Sequence, residues 1–224
     1  MYKKKQYKKK LWSEYLDTVE FPQEVKNIAM EIGELFIDDV NFLYTVRKAV
    51  LNGGGAIEDE KTHMVYETEG EYHILKHGNL ELALRQADMS KLLADMIDIF
   101  EDILPLGSVV DLKKDFLSPK IDLSKVEMVR VVIAKRFLGG ESGCYYPYAA
   151  VIYPIGMGGQ NSYICFSSAL INKVIHEGYC DALENEFIYQ MKKKLVVKEH
   201  RKSMGFADAT ECKEMERILF QNGE

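Results

Sequence analysis

The chain has 224 residues, 47% of them hydrophobic and 29% charged, with a formal net charge of -6. That suits one soluble domain of moderate size or two small ones. No run of about eighteen apolar residues offers a membrane span, and the basic N-terminus lacks the apolar stretch a signal peptide would need, so a cytoplasmic protein without membrane insertion is expected.

Lys3, Lys4, Lys5, Lys8, Lys9 and Lys10 crowd the first ten positions, leaving 23 basic against 35 acidic residues in the rest, a net -12. Residues 1–10 therefore read as a disordered, solvated basic tail. The acidic body opposes a phosphate-binding footprint, so no nucleic acid is expected as a partner. A helical region with one hairpin follows over residues 11–103. Its first element starts near Leu11, and Pro22 opens a long helix in which Val25, Ile28, Ala29, Ile32, Leu35, Phe36, Leu43, Val46 and Val50 recur at helical spacing as far as Leu51. Asn52-Gly53-Gly54-Gly55 ends it.

Two β-favouring runs, His63 to Glu67 and Tyr72 to Leu75, flank Gly70 and read as the hairpin. Helical spacing returns from Leu80 to Ile103, with Ser90 able to cap a second piece after a break at Asp88-Met89-Ser90. Pro105 and Gly107 then open a β-rich domain over residues 104–198, with strands predicted at Ser108 to Leu112, Met128 to Phe137, Tyr145 to Tyr153 and Ser162 to Phe166. Leu183, Phe187, Met191 and Leu195, spaced four apart, predict a helix over 181–198 that covers this sheet. A C-terminal helix around Asp208 to Phe220 occupies the final region, 199–224. The fold class is α+β: a helical N-terminal region with a β-hairpin, then a mainly antiparallel β-domain covered by a helix.

Cys144, Cys165, Cys180 and Cys212 form no CxxC pair and have no histidine placed to complete a zinc site, so reduced thiols and no structural metal are expected. Gly156-Met157-Gly158-Gly159 lacks the G-x-G-x-x-G order and leads into a strand pattern rather than a helix, which reads as a hairpin loop and not a phosphate cradle. Ser142 fails as a nucleophile elbow because Cys144 stands where the second glycine belongs. His73 and His77 read as surface histidines. His176 and Glu177 point to opposite faces if their segment is extended. No catalytic residue, cofactor or metal ligand is predicted.

Tyrosines concentrate in the β-region. Tyr146 and Tyr148 share a sheet face and Tyr145 takes the other, so both faces cannot be solvated, and most of these rings are expected in the core with one or two left for a partner. The candidate partner-binding set is Tyr146, Tyr148, Tyr153, Glu177 and Tyr179.

Four motifs stand in order: Leu104-Pro105-Leu106-Gly107-Ser108-Val109, Tyr153-Pro154-Ile155-Gly156, the aromatic strand from Tyr163 to Phe166, and Ile171 to Tyr179 with its Glu177-Gly178-Tyr179 end. In order and spacing the segment from about Asp102 to Gln190 resembles the family catalogued as domain of unknown function 4176. Ile155 departs from it, since the third residue of that turn is commonly acidic.

The resemblance implies a companion of LXG-type toxins beside a type VII (ESX-like) secretion system of Gram-positive bacteria. Such a companion is a cytoplasmic adaptor or export chaperone that binds the toxin's N-terminal region alongside small WXG100-like helical proteins, with the secretion ATPase as a further contact. No enzyme activity belongs to the family's pattern. None of the thirteen tyrosines has Asp or Glu four residues later, so the export signal of secreted substrates is missing and a helper is expected rather than a substrate. An adaptor needs an exposed apolar groove, expected here between the N-terminal helical regions. The alternative is an immunity protein whose acidic body masks the toxin's C-terminal domain. An uncharacterised enzyme is the third reading, disfavoured because no pair of titratable groups at sensible spacing emerges.

Overall fold

The computed structural model describes residues 2–113, 129–139, 143–157 and 163–221. Met128, Ser142, Gly158, Gly159 and Ser162, named above, lie outside the described residues. The architecture is α+β, in two compact units: Met1–Asp102 with Lys192–His200, and Ile103–Met191 with Arg201–Glu224.

The first unit opens with a correction. Helix α1 runs Tyr2–Thr18 and takes in the lysines expected to form a solvated tail. Lys8, Leu11, Trp12, Tyr15 and Leu16 are all buried along one stripe. The Trp12 indole N–H donates to the Ala29 carbonyl at 3.0 Å, and its ring lies 5.4 Å from Tyr15 and 5.6 Å from Phe100. Gly33 makes room for it, since a Cβ there would fall 2.3 Å from the indole nitrogen. The lysines are partnered: Lys4 and Lys8 reach Asp102 at 3.0 and 2.7 Å, Lys9 reaches Glu34 at 2.9 Å and Lys5 pairs with Asp38. The exposed pairs, those of Lys4, Lys5 and Lys9, contribute roughly 0–1 kcal/mol each, so the apolar stripe is what docks α1.

The predicted long helix is two, α2 (Gln23–Leu35) and α3 (Asn41–Leu51). The chain turns between them at Asp38-Asp39, where the Asp39 carboxylate accepts from the Asn41 N–H at 3.0 Å. The predicted hairpin is part of a four-stranded antiparallel sheet of β1 (Ile57–Glu58), β2 (Val65–Glu69), β3 (Tyr72–His77) and β4 (Leu80–Arg85), in that order. Strand β4 replaces the expected start of a helix. Its Leu82 and Leu84 point inward between exposed neighbours, and Gly78, at φ +57°, makes the turn into it. His73 is buried, with its Nδ1 2.7 Å from the Tyr66 hydroxyl, and burial lowers its pKa.

Helix α4 (Gln86–Phe100) runs unbroken through Ser90 and is buried along most of its length. Its C-terminal carbonyls are satisfied by the Lys192 ammonium, which donates to Ile99 O at 3.0 Å and also to Glu101 O. Lys192 ends α5 (Ala182–Lys192), and the π-helical turn Lys193–Lys198 that follows buries Leu195, Val196 and Val197.

In the second unit β5 (Val109–Leu112), β6 (Val129–Leu138), β7 (Cys144–Ile152), β9 (Ile171–His176) and β10 (Lys202–Ser203) form a sheet in the order β10-β7-β6-β5-β9, and β8 (Ile164–Phe166) pairs with β7. Pairing is antiparallel except between β10 and β7. Val129, Val131 and Ile133 in β6 are buried between less buried neighbours, as a period of two requires, whereas in β5 Asp111 is buried along with Val110 and Leu112 on either side of it. At the other end of β7 both faces are covered: Tyr145 packs near Phe137, and Tyr148 stacks on Phe166 at 5.3 Å.

The helix expected over 181–198 does not cover the sheet as drawn. Leu183 and Phe187 are exposed, while Leu195 is buried within the first unit. Helix α6 (Ala209–Gln221) closes the described chain and buries Met215.

Burial holds the Lys192 pKa down to about 8, with Lys8 adding repulsion and Glu101, Asp98 and Asp102 opposing it. Unfolded, the amine keeps its proton to about 10.5, so between these values the unfolded chain binds more protons and stability rises with pH. Urea unfolding of the first unit, followed through Trp12 fluorescence between pH 8 and 10, should show the wild type gaining stability relative to Lys192→Met. Parallel pH courses for the two proteins would contradict this.

Candidate partner-binding surface

The first and last of the motifs that mark residues 104–179 form one locked corner. Gly107, at φ +79°, turns the chain so that its N–H donates to Ile133 O and the Ile133 N–H donates to Ser108 O, both at 2.9 Å. The Ser108 hydroxyl donates to Pro105 O at 2.8 Å and accepts from the Gly178 N–H at 2.9 Å. A Cβ at Gly178 would sit 2.1 Å from Leu106 O, so only glycine fits against that carbonyl. The Leu-Pro-x-Gly-Ser and Glu-Gly-Tyr segments thus hold each other.

A β-bulge in β6 supplies the next support. The register passes from Ile133 opposite Ala150 to Lys135 opposite Ala149, which brings Arg136 opposite Tyr148. There the guanidinium pairs with the Glu184 carboxylate on α5, with one contact at 3.1 Å and a shorter one beside it, and reaches the Leu104 carbonyl at 3.5 Å. The Tyr148 hydroxyl accepts from the Leu104 N–H at 3.1 Å. Asp181 caps α5 by accepting from the Glu184 N–H at 2.9 Å.

With Glu184 turned inward, α5 presents Leu183 and Phe187 outward, one turn apart. Leu183 is 77% exposed and Phe187 42%, while Tyr179 beside the corner is 82% exposed and Leu106 50%. The Phe187 ring is braced edge-on by Phe137 at 6.0 Å and lies 5.2 Å from the Arg136 guanidinium. Residues 176–187 contain Glu177, Asp181, Glu184 and Glu186 and no lysine or arginine. With Glu184 paired to Arg136, it is Glu177, Asp181 and Glu186 that give these exposed apolar side chains a negative rim.

A second exposed turn, Tyr153-Pro154-Ile155-Gly156, closes through the Gly156 N–H to Ile152 O at 2.8 Å, with Gly156 at φ +74°. It leaves Tyr153, Ile155 and Met157 exposed. The Tyr153 N–H donates to Arg130 O, near the end of β6 that pairs with Leu112, whereas Tyr179 follows the end of β9 that pairs with Val109. The two turns therefore lie at opposite ends of the sheet.

Of the residues predicted from sequence, Tyr153, Glu177 and Tyr179 are exposed, and Glu177 and Tyr179 flank Gly178 of the locked corner. Tyr148 is a correction, buried with its hydroxyl spent on Leu104, and Tyr146 is half-buried in β7. Sequence reasoning missed Leu106, Leu183 and Phe187. The apolar pair four residues apart among acidic neighbours was the signal for the last two. The groove expected between the N-terminal helices is closed, because their apolar stripes are packed. Of the twelve large apolar side chains left exposed among the described residues, nine belong to the second unit.

Among the described residues, no group of three or more His, Cys, Asp or Glu is placed to hold a metal ion. Burial pushes the Cys144 thiol up to about 12 and raises Cys165 as well, so both are protonated at neutral pH. No helix among the described residues is long and apolar enough to cross a membrane.

Residues 103–187 match the family described as domain of unknown function (DUF4176), and the locked corner and exposed helix face both fall inside that segment. No curated protein matches the chain, and neither does any solved structure.

Tyr148→Phe leaves the Leu104 N–H without its acceptor and should cost roughly 1–3 kcal/mol in urea unfolding, whereas Leu183→Ala should stay within about 0.5 kcal/mol. Equal effects would mean that the burial of these two side chains has been misassigned.

Proposed function

We propose that this protein is a cytoplasmic adaptor, or export chaperone, that binds an LXG-type toxin and helps bring it to a type VII (ESX-like) secretion system. The observation that carries the reading is the exposed apolar surface of Leu106, Tyr179, Leu183 and Phe187, built on the motifs of the matched segment. Apolar side chains held in water by a rigid frame suit recognition of another protein. The toxin's N-terminal region is the proposed partner, with small WXG100-like helical proteins and the secretion ATPase as further contacts. The function is recognition without catalysis.

The acidic rim favours one second reading, an immunity protein that covers a basic surface on the toxin's C-terminal domain. Pull-down of the full chain against separately expressed N-terminal and C-terminal halves of a neighbouring LXG toxin tests both. Capture of the N-terminal half is the expected result. Capture of the C-terminal half alone, with rescue of growth, would replace the adaptor by an immunity factor.

A further inference from the structure

We infer that the surface of Leu106, Tyr179, Leu183 and Phe187 docks an amphipathic helix whose apolar stripe is flanked by lysine or arginine. The inference rests on the adaptor reading and names what that surface takes. Three observations choose this occupant.

Shape comes first. Leu183 and Phe187 stand one helical turn apart on α5 and form the ridge that a second helix packs against, reading the partner at i, i+3, i+4 and i+7. The nearby sheet edge is unsuited to an added strand. Strand β9 carries two register shifts against β5, between Val109 and Val110 and between Asp111 and Leu112, and it bears Lys173 and His176. Bulges and charges of this kind blunt an edge against further pairing.

Charge comes second. Glu177 and Asp181 are exposed beside the apolar surface, and Glu186 lies on the same helix as Leu183. The nearby guanidinium, Arg136, is paired with Glu184. The rim is negative, which favours a basic-flanked helix and speeds its approach.

Self-association is disfavoured by the same rim. A two-fold contact through this surface would set Glu177 and Asp181 of one copy against the acidic rim of the other. The partner is therefore a different chain.

The test uses the full-length protein and a labelled synthetic helix of about 18 residues, with leucines on one face and lysines flanking them, read by fluorescence anisotropy. A matched peptide carries glutamate in place of each lysine. The lysine peptide should bind at least about tenfold more tightly than the glutamate peptide, and Leu183→Glu or Tyr179→Asp should each weaken it by about tenfold or more. Thermal unfolding of both variants should match the wild type, since both side chains are largely in water. Equal affinity for the two peptides, or undiminished binding by both variants, would overturn the inference. So would a wild-type dimer in solution that Leu183→Glu dissociates.

The toxin pull-down separates this inference from the reading beneath it. Capture of the N-terminal half equally by wild type and Leu183→Glu would keep the adaptor and remove this surface. Peptide results as expected with no capture of either half would keep the surface and remove the adaptor.

Discussion

The close approach of Gly178 to the Leu106 carbonyl is the constraint on which the second unit's surface depends. No side chain fits there, and the Gly178 N–H is committed to the Ser108 hydroxyl, which in turn is committed to Pro105 O. These contacts fix where the chain leaves β9 and enters α5. They also explain physically why a Leu-Pro-x-Gly-Ser turn and a Glu-Gly-Tyr turn occur together in one segment. Tyr179 is held out in water because the residue before it is clamped against backbone.

The buried Arg136–Glu184 pair completes the frame at a cost. Removing both charges from water is unfavourable, and their attraction offsets that only when the geometry is good. The β6 bulge provides the geometry by setting Arg136 opposite Tyr148. Once paired, α5 cannot rotate about its axis without stranding a guanidinium away from water. The pair therefore acts mainly as an orientation device, and the orientation it selects leaves Leu183 and Phe187 outward.

The matched segment was legible because its signals are local. Strands β5 to β8 began within two residues of where alternation and turn residues placed them. Failures came where a distant partner or an ambiguous period decided the outcome. The N-terminal lysines read as a solvated tail because Asp38, Glu34 and Asp102, which pair with them, lie far along the chain. Leu80 and Leu84 satisfy a helical spacing of four as well as a strand period of two, and Gly78 decided for the strand. Leu183 and Phe187 were recognised as one helical face but assigned to the core, since spacing shows that a face exists and not what covers it. Tyr148 erred in the other direction, because a tyrosine in a strand looks the same whether its hydroxyl finds water or a backbone N–H.

Recognition by the second unit's exposed helix face is the central claim, and amide hydrogen exchange tests it most directly. Exchange would be compared for the protein alone and mixed with the N-terminal half of the LXG toxin. The account predicts slowed exchange over residues 177–187 on mixing. Slowing confined to α1, α2 and α3, with residues 177–187 unchanged, would contradict it and return the binding surface to the N-terminal helices.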